Sequence, residues 1–166
     1  MDANALHELL DEVASGALSP DDAVRHLSRL PFADIGVARI DHHRSLRQGL
    51  PEAVYAPGKS VGDVVTVLTE LLDYGTGPVV LSRADSQQVG AALEVDSSGM
   101  VLGHTVVWRR ADDRDERVLV VTAGTADAPV ADECAAVLWA HGLDAGRLSD
   151  VGVSGIHRLL ADVDRI

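Results

Sequence analysis

The chain has 166 residues, 46% of them apolar, and a formal charge of −12; it can bury one real core or two small ones, and it lacks the clustered cations that a nucleic acid or an anionic membrane surface requires. Asp outnumbers Glu by 19 to 7 and Arg outnumbers Lys by 13 to 1, the bias of a GC-rich genome, with mild salt adaptation as a second reading, and it says nothing of activity. One cysteine builds neither a disulfide framework nor a thiolate metal site, no basic-then-apolar leader opens the chain, and no run nears the ~20 apolar residues of a membrane span; cytoplasmic is the default location.

Leu6, Leu9, Leu10 and Val13 recur at helical spacing and predict a helix over 3–15 stopped by Gly16. Ser19 before Pro20 predicts the capped start of a short second helix with Val24, Leu27 and Leu30 on its apolar face. "FADIGVARI" then reads as one strand with Ile35 and Val37 on alternate positions. Residues 38–60, "ARIDHHRSLRQGLPEAVYAPGKS", build no obvious core, yet they hold Asp41, His42, His43, Arg44 and Arg47, followed by a proline-bounded excursion with Glu52 and Lys59. Neighbouring histidines of a strand point to opposite faces and share no ion without a turn. The residues themselves leave two readings open: a solvated loop in which Asp41 makes local hydrogen bonds, or a binding loop.

Residues 60–74 are the clearest helix, capped by Ser60 and striped by Val61, Val64, Val65, Leu68, Leu71 and Leu72. "GPVVLSRA" predicts a short buried strand, "DSQQVGAALEV" a short helix, and "MVLGHTVVWRR" one further strand in which His104 packs near Trp108. The charged run "RADDRDER", residues 110–117, reads as a linker. A domain boundary near residue 114 follows, with an α+β domain over 1–113 and the start of a second over 114–166.

Beyond it, "RVLVVTAGTADAP" is a strand entering a Gly/Thr loop, and "VADECAAVLWAHG" is a helix ended by Gly142, on whose apolar face Val130, Cys134, Val137 and Leu138 would bury the thiol. "RLSDVGVSG" and "IHRLLADVD" add a strand and a helix. This β-α-β-α order predicts an α/β fold: a small α+β domain followed by the first units of a parallel three-layer sheet domain. Two parallel strands need neighbours on both edges. The chain is therefore expected to be a shortened form, a fragment or a split gene product that associates with itself or with a missing half.

Ligands of parallel sheets sit at the carboxyl ends of the strands. At the first such end Gly124 permits close backbone approach, Thr122 and Thr125 offer hydroxyls, and Pro129 marks a helix start, a set that suits a phosphate or a plain turn equally. At the second, Ser154 is expected to cap a helix, with Gly155 for backbone access. His157 and Arg158 follow in its first turn, as a proton carrier beside an anion-binding arginine or as solvent-facing residues. His7, His26 and His141 read as surface residues.

The stretches "DIGVARIDHHRSLRQGLPEAVYAPGK", "VLVVTAGTADAPVADECA" and "DVGVSGIHRLL", in this order from about residue 31 to the C-terminus, resemble the LarB family of nickel-pincer nucleotide cofactor biosynthesis. The first is specific to that family; the other two are shared more loosely with the aminoimidazole ribonucleotide carboxylases of purine synthesis, whose PurE-type sheet domain LarB is similar to. The resemblance implies a carboxylase/hydrolase that carboxylates the pyridinium ring of nicotinic acid adenine dinucleotide and cuts its phosphoanhydride to release AMP. Carbon dioxide or bicarbonate would be the co-substrate and magnesium the metal. It implies that Gly124, Thr125 and Asp127 hold phosphate and ribose, that His157 sits at the reacting carbon, and that Arg158 and Ser154 hold the nucleotide.

On this reading Asp41, His42, His43, Arg44 and Arg47 form part of the substrate site, with the arginines and one histidine facing the ligand loops and supplying the positive potential that an acidic protein needs. The family's further half-domain, with a glycine-rich loop and a cysteine that adds to the pyridinium ring, is not among these residues, and Cys134 does not stand in that cysteine's place. The 166 residues are thus expected to be inactive, or nearly so, alone. Two other readings are a nucleotide-binding or assembly module without catalysis and a purine-biosynthesis carboxylase, the latter a poor match to the large N-terminal region.

Overall fold

A computed structural model describes residues 3–166. The stripe of Leu6, Leu9, Leu10 and Val13 lies on α1, Ala3–Ser15, which ends at Gly16 in the left-handed region, φ +77°. Ser19 starts α2, Pro20–Leu27, by accepting from the Asp22 amide at 3.1 Å. The single strand expected over 32–40 is instead a hairpin of two short antiparallel strands, β1 (Ala33–Asp34) and β2 (Arg39–Ile40). Gly36 at φ +82° turns the chain between them, and its amide donates to Asp34 Oδ1 at 3.0 Å. The alternation is interrupted by a turn residue that only looks like part of the strand.

The stretch without an obvious core carries α3, Arg44–Gln48, and β3, Val54–Tyr55. Then comes α4, Val61–Tyr74, started by a reciprocal cap: Ser60 Oγ accepts from the Asp63 amide at 3.1 Å and Asp63 accepts from the Ser60 amide at 3.2 Å, satisfying two donors that a helix start leaves open. Next are β4 (Val79–Ser82) and α5 (Ser86–Val95), the latter capped by Asp85. The strand expected over 100–110 is a second hairpin, β5 (Met100–Leu102) and β6 (Thr105–Trp108), turned by Gly103 at φ +63° and His104.

These strands form one sheet in the order β3-β4-β6-β5, with β3 parallel to β4 and the other pairs antiparallel. Val79, Leu81, Val106 and Trp108 face Val64, Leu68 and Leu71 of α4 and Ala92 of α5 in the main core. Burying each large side chain there is worth roughly 1.5–3 kcal/mol. The Trp108 indole donates to the Asp96 carbonyl at 2.9 Å, which removes the cost of its buried N–H.

Residues 109–117 belong to no helix or strand, but the Ala111 and Arg114 amides donate to the Ala140 and Gly142 carbonyls, both at 2.9 Å. After them run β7 (Leu119–Val121), α6 (Ala128–Ala140), β8 (Gly146–Leu148) and α7 (Ile156–Ala161), with β7 and β8 parallel in register Leu119↔Gly146. The architecture is α/β, as its β-α-β-α order predicts. The helix α6 also covers the back of the first sheet, where Val137, Trp139 and Ala140 pack on Val80 and Val107. That contact turns the small residues Ala131, Ala136 and Ala140 inward. Cys134, expected to be buried, is exposed, and so is Val130. Gly142 ends the helix at φ +80°, and a Cβ there would stand 1.9 Å from the Asp112 carbonyl oxygen, so glycine alone lets the crossing segment pass.

Candidate functional site

The histidine pair divides into an inner and an outer residue. His42 is buried at the end of β2, and its Nε2 donates to Glu70 Oε1 of α4 at 2.9 Å. The same oxygen lies 3.3 Å from Arg29 Nη1, and the Arg29 guanidinium stacks over the Tyr74 ring, 3.9 Å from its centroid. His42 thus ties the segment to α4.

Around it the outer residues form a closed polar knot. Asp41 accepts two bonds from Arg47, at 3.2 and 2.5 Å, and one from the His43 amide at 3.1 Å, while its own amide donates to Glu52 Oε2 at 2.8 Å. The Arg47 fork holds the Asp41 carboxyl below its ordinary range, and Asp41 raises Arg47 in return. Arg47 Nη1 also donates to His43 Nδ1 at 3.0 Å, which leaves the ring proton of neutral His43 on Nε2. Arg44 is exposed and has no ion pair among the described residues. Glu52 and Lys59 do not meet: Glu52 serves the Asp41 amide, and the Lys59 carbonyl accepts from Gln88 Nε2 at 2.9 Å.

At the carboxyl end of β7 the Ala123 and Gly124 amides both donate to Asp127 Oδ2, at 3.1 and 3.0 Å. Asp127 reaches back from the single 3-10 turn Thr125–Asp127 and puts its own carboxylate where the sequence suggests an anion. The end of β8 is knitted to the same turn, with the Val151 and Gly152 amides donating to the Thr122 and Ala123 carbonyls at 3.1 and 2.9 Å. A Cβ at Gly152 would meet the Ala123 oxygen at 2.8 Å. Gly124, Thr125 and Asp127 are thereby brought beside the segment that leads to Ser154, His157 and Arg158.

Ser154 does not cap a helix: it lies exposed in a 3-10 turn, Val153–Gly155, and Gly155 precedes α7 with no side-chain cap. The extra turn puts the first residue of the helix, Ile156, two residues beyond the serine. Arg158 pairs with Asp150, which sits at φ +61°, and packs on Gly155, while His157 is exposed. His141 is half-buried, and burial, helped by Arg114, holds its pKa below the ordinary value. Among the described residues no hydrogen bond or ion pair joins Asp41, His43, Arg44 or Arg47 to the turns at β7 and β8. No three His, Cys, Asp or Glu side chains among them gather as a metal site either.

Glu70 and Arg29, which fix His42, were not singled out in the sequence. Glu70 was the legible one, as an acid set among Leu68, Leu71 and Leu72.

Residues 32–99 match the family model of the LarB/PurE-like N-terminal domain. The match contains the first hairpin, the knot at 41–47, Glu70 and the sheet as far as α5, and it supports the LarB/PurE family, which is carboxylase-related. Over 97% of its length the chain is also similar, at 25% identity, to an uncharacterized protein of Methanocaldococcus jannaschii, of which it covers 67%.

Proposed function

We propose that the chain is a portion of a carboxylase/hydrolase that acts on the pyridinium ring of nicotinic acid adenine dinucleotide and releases AMP, in the biosynthesis of the nickel-pincer nucleotide. The observation that carries this reading is the family match over 32–99, because it falls on the "DHHRSLRQGLPE" stretch, the most specific of the three resemblances.

The second unit supports it. The knitted turns at β7 and β8 present Gly124, Thr125 and Arg158 at the carboxyl ends of two parallel strands, the usual position of a nucleotide. Asp127 serves in this reading as a stand-in anion: an arriving phosphate takes the Ala123 and Gly124 amides and frees the carboxylate for a ribose hydroxyl. Exposed His157 is free to exchange a proton at the reacting carbon, and exposed Arg44 supplies positive charge to the dinucleotide. Carbon dioxide or bicarbonate is the co-substrate. The described residues do not assemble a metal site, so no step is assigned to magnesium. Completion of the site calls for association, with a second copy or with further chain of the PurE type, over the open β7-β8 pair.

A second reading, a nucleotide-binding module without catalysis, is favoured by the internal pairing of Asp127 and Arg158. Incubation with nicotinic acid adenine dinucleotide, bicarbonate and magnesium, followed by chromatography for AMP and a carboxylated mononucleotide, separates the two. Products from the chain combined with its completing partner support the first reading. Dinucleotide binding without either product supports the second, and absence of binding removes both. In either case Asp127→Ala alters dinucleotide affinity; an unchanged affinity takes the turn out of the site.

A further inference from the structure

We propose that Asp150 and Gly155 position Arg158 so that the Nε–Nη2 edge of its guanidinium takes one oxyanion of the nucleotide side-on. This rests on the reading of the turns at β7 and β8 as a nucleotide site, and it adds two positioning residues to that site.

Arg158 stands in the first turn of α7, and its guanidinium is held at one end only. Nη1 donates to Asp150 Oδ2, whereas Nε and Nη2 make no hydrogen bond or ion pair among the described residues. Those two nitrogens form the edge that matches the paired oxygens of a phosphate or a carboxylate. The side chain is 36% exposed, so the group is open to solvent. With Nη1 committed to Asp150, the bidentate edge is the part left for a ligand.

Both neighbours of the guanidinium fit that task. Asp150 follows β8 at φ +61°, a conformation that side chains other than glycine adopt rarely and that collects at ligand clamps. From there its carboxylate reaches Arg158, eight residues on. Directly after Asp150 the Val151 and Gly152 amides donate to the Thr122 and Ala123 carbonyls, so the holder of Arg158 is anchored on the turn beside Gly124. Gly155 is buried, and its φ of −140° lies outside the left-handed region. What calls for glycine is the edge itself: a Cβ there would stand 2.9 Å from Arg158 Nε and 3.3 Å from Nη2, closer than a methyl group packs. Alanine would either cover the edge or push the guanidinium away; glycine leaves it bare. An ion pair that only fastened α7 would require Asp150 but no bare edge.

The test titrates the whole chain, Gly155→Ala and Asp150→Asn with inorganic phosphate, nicotinate and nicotinic acid adenine dinucleotide, read by the Arg158 Nε–H correlation in nitrogen–proton NMR spectra. In the unaltered chain phosphate or nicotinate should shift that signal, and the anion that does so names the oxyanion. Gly155→Ala should weaken the responding ligands about tenfold, as for a lost charge-assisted contact, with an unchanged melting temperature. Asp150→Asn tolerates the same backbone conformation but lacks the charge; it should broaden the Arg158 signal before any ligand is added and weaken the same ligands. A signal unmoved by all three ligands, equal affinities in the unaltered chain and Gly155→Ala, or an Asp150→Asn variant with the original signal and affinity would each overturn the edge. Dinucleotide bound alike by all three proteins removes the edge and leaves the carboxylase reading standing. Small anions that respond as expected without dinucleotide binding keep the edge and remove that reading.

Discussion

Replacing Glu70 by alanine deletes one carboxylate that two donors share, His42 Nε2 at 2.9 Å and Arg29 Nη1 at 3.3 Å. The His42 and Glu70 side chains are only 4% and 7% exposed, so the bond lost between them is one made in a closed site. Removing one partner of a buried pair costs about 3–5 kcal/mol. Arg29 is 36% exposed and regains water, which puts the expected loss at the low end, about 3 kcal/mol. Glu70→Gln keeps an acceptor oxygen and should lose roughly half as much. Urea unfolding followed by Trp108 fluorescence measures both, and a double-mutant cycle with His42→Ala should give a coupling of about 1–2 kcal/mol. Hydrogen exchange at residues 41–47 should accelerate in Glu70→Ala, since the pin that holds the knot is gone. A loss within ~0.5 kcal/mol, the level of an ordinary surface change, or no coupling to His42, would refute the pin.

Gly142→Ala should cost about 2 kcal/mol or more, because it combines a left-handed backbone with a Cβ 1.9 Å from the Asp112 oxygen; an unchanged melting temperature in calorimetry contradicts the crossing. The lowered pKa of His141 means that the folded state binds its proton less readily than the unfolded chain. Its stabilising contribution is therefore complete above the ordinary histidine pKa of about 6.5 and declines as pH falls through that value toward the folded-state one. His141→Gln should flatten melting temperature against pH on that acid side, and an identical slope in the variant counts against it. Arg44→Ala in the completed enzyme should raise the dinucleotide dissociation constant about tenfold, as for a lost charge-assisted contact of ~1.5 kcal/mol; equal titration curves would return the segment to a structural strap.

Features decided by neighbours along the chain were legible. Ser60 with Asp63 and Ser19 with Pro20 announce helix starts because their partners lie three residues away or fewer, and α4 begins where that local chemistry says. The β-α-β-α order after residue 117 was readable from the alternation of apolar runs. Both hairpins were hidden, since Gly36 and Gly103 stand inside apolar stretches that pass for single strands. The two-residue β3 was invisible for another reason: it exists only through its parallel register with β4, Val54↔Leu81.

The candidate site divides the same way. Asp127 and the amides it holds are three and four residues apart, so the turn was within reach of local reasoning. His42 and Glu70 are separated by 28 residues, and nothing near His42 tells which of two adjacent imidazoles faces inward. The exposure of Cys134 depends on α6 meeting two sheets at once, which no periodicity within the helix reports.

That double duty gives α6 a further role. Ala136 and Ala140 stand buried where larger residues would normally fill a core, so the helix is narrow, and its girth fixes the gap between the back of the first sheet and the β7-β8 pair. It acts as a spacer. A bulkier residue at either alanine would open that gap along its whole length, displacing the linker bonds at Ala111 and Arg114 together with the turn at Gly103, so that distant parts of the molecule respond to one methyl group on one helix.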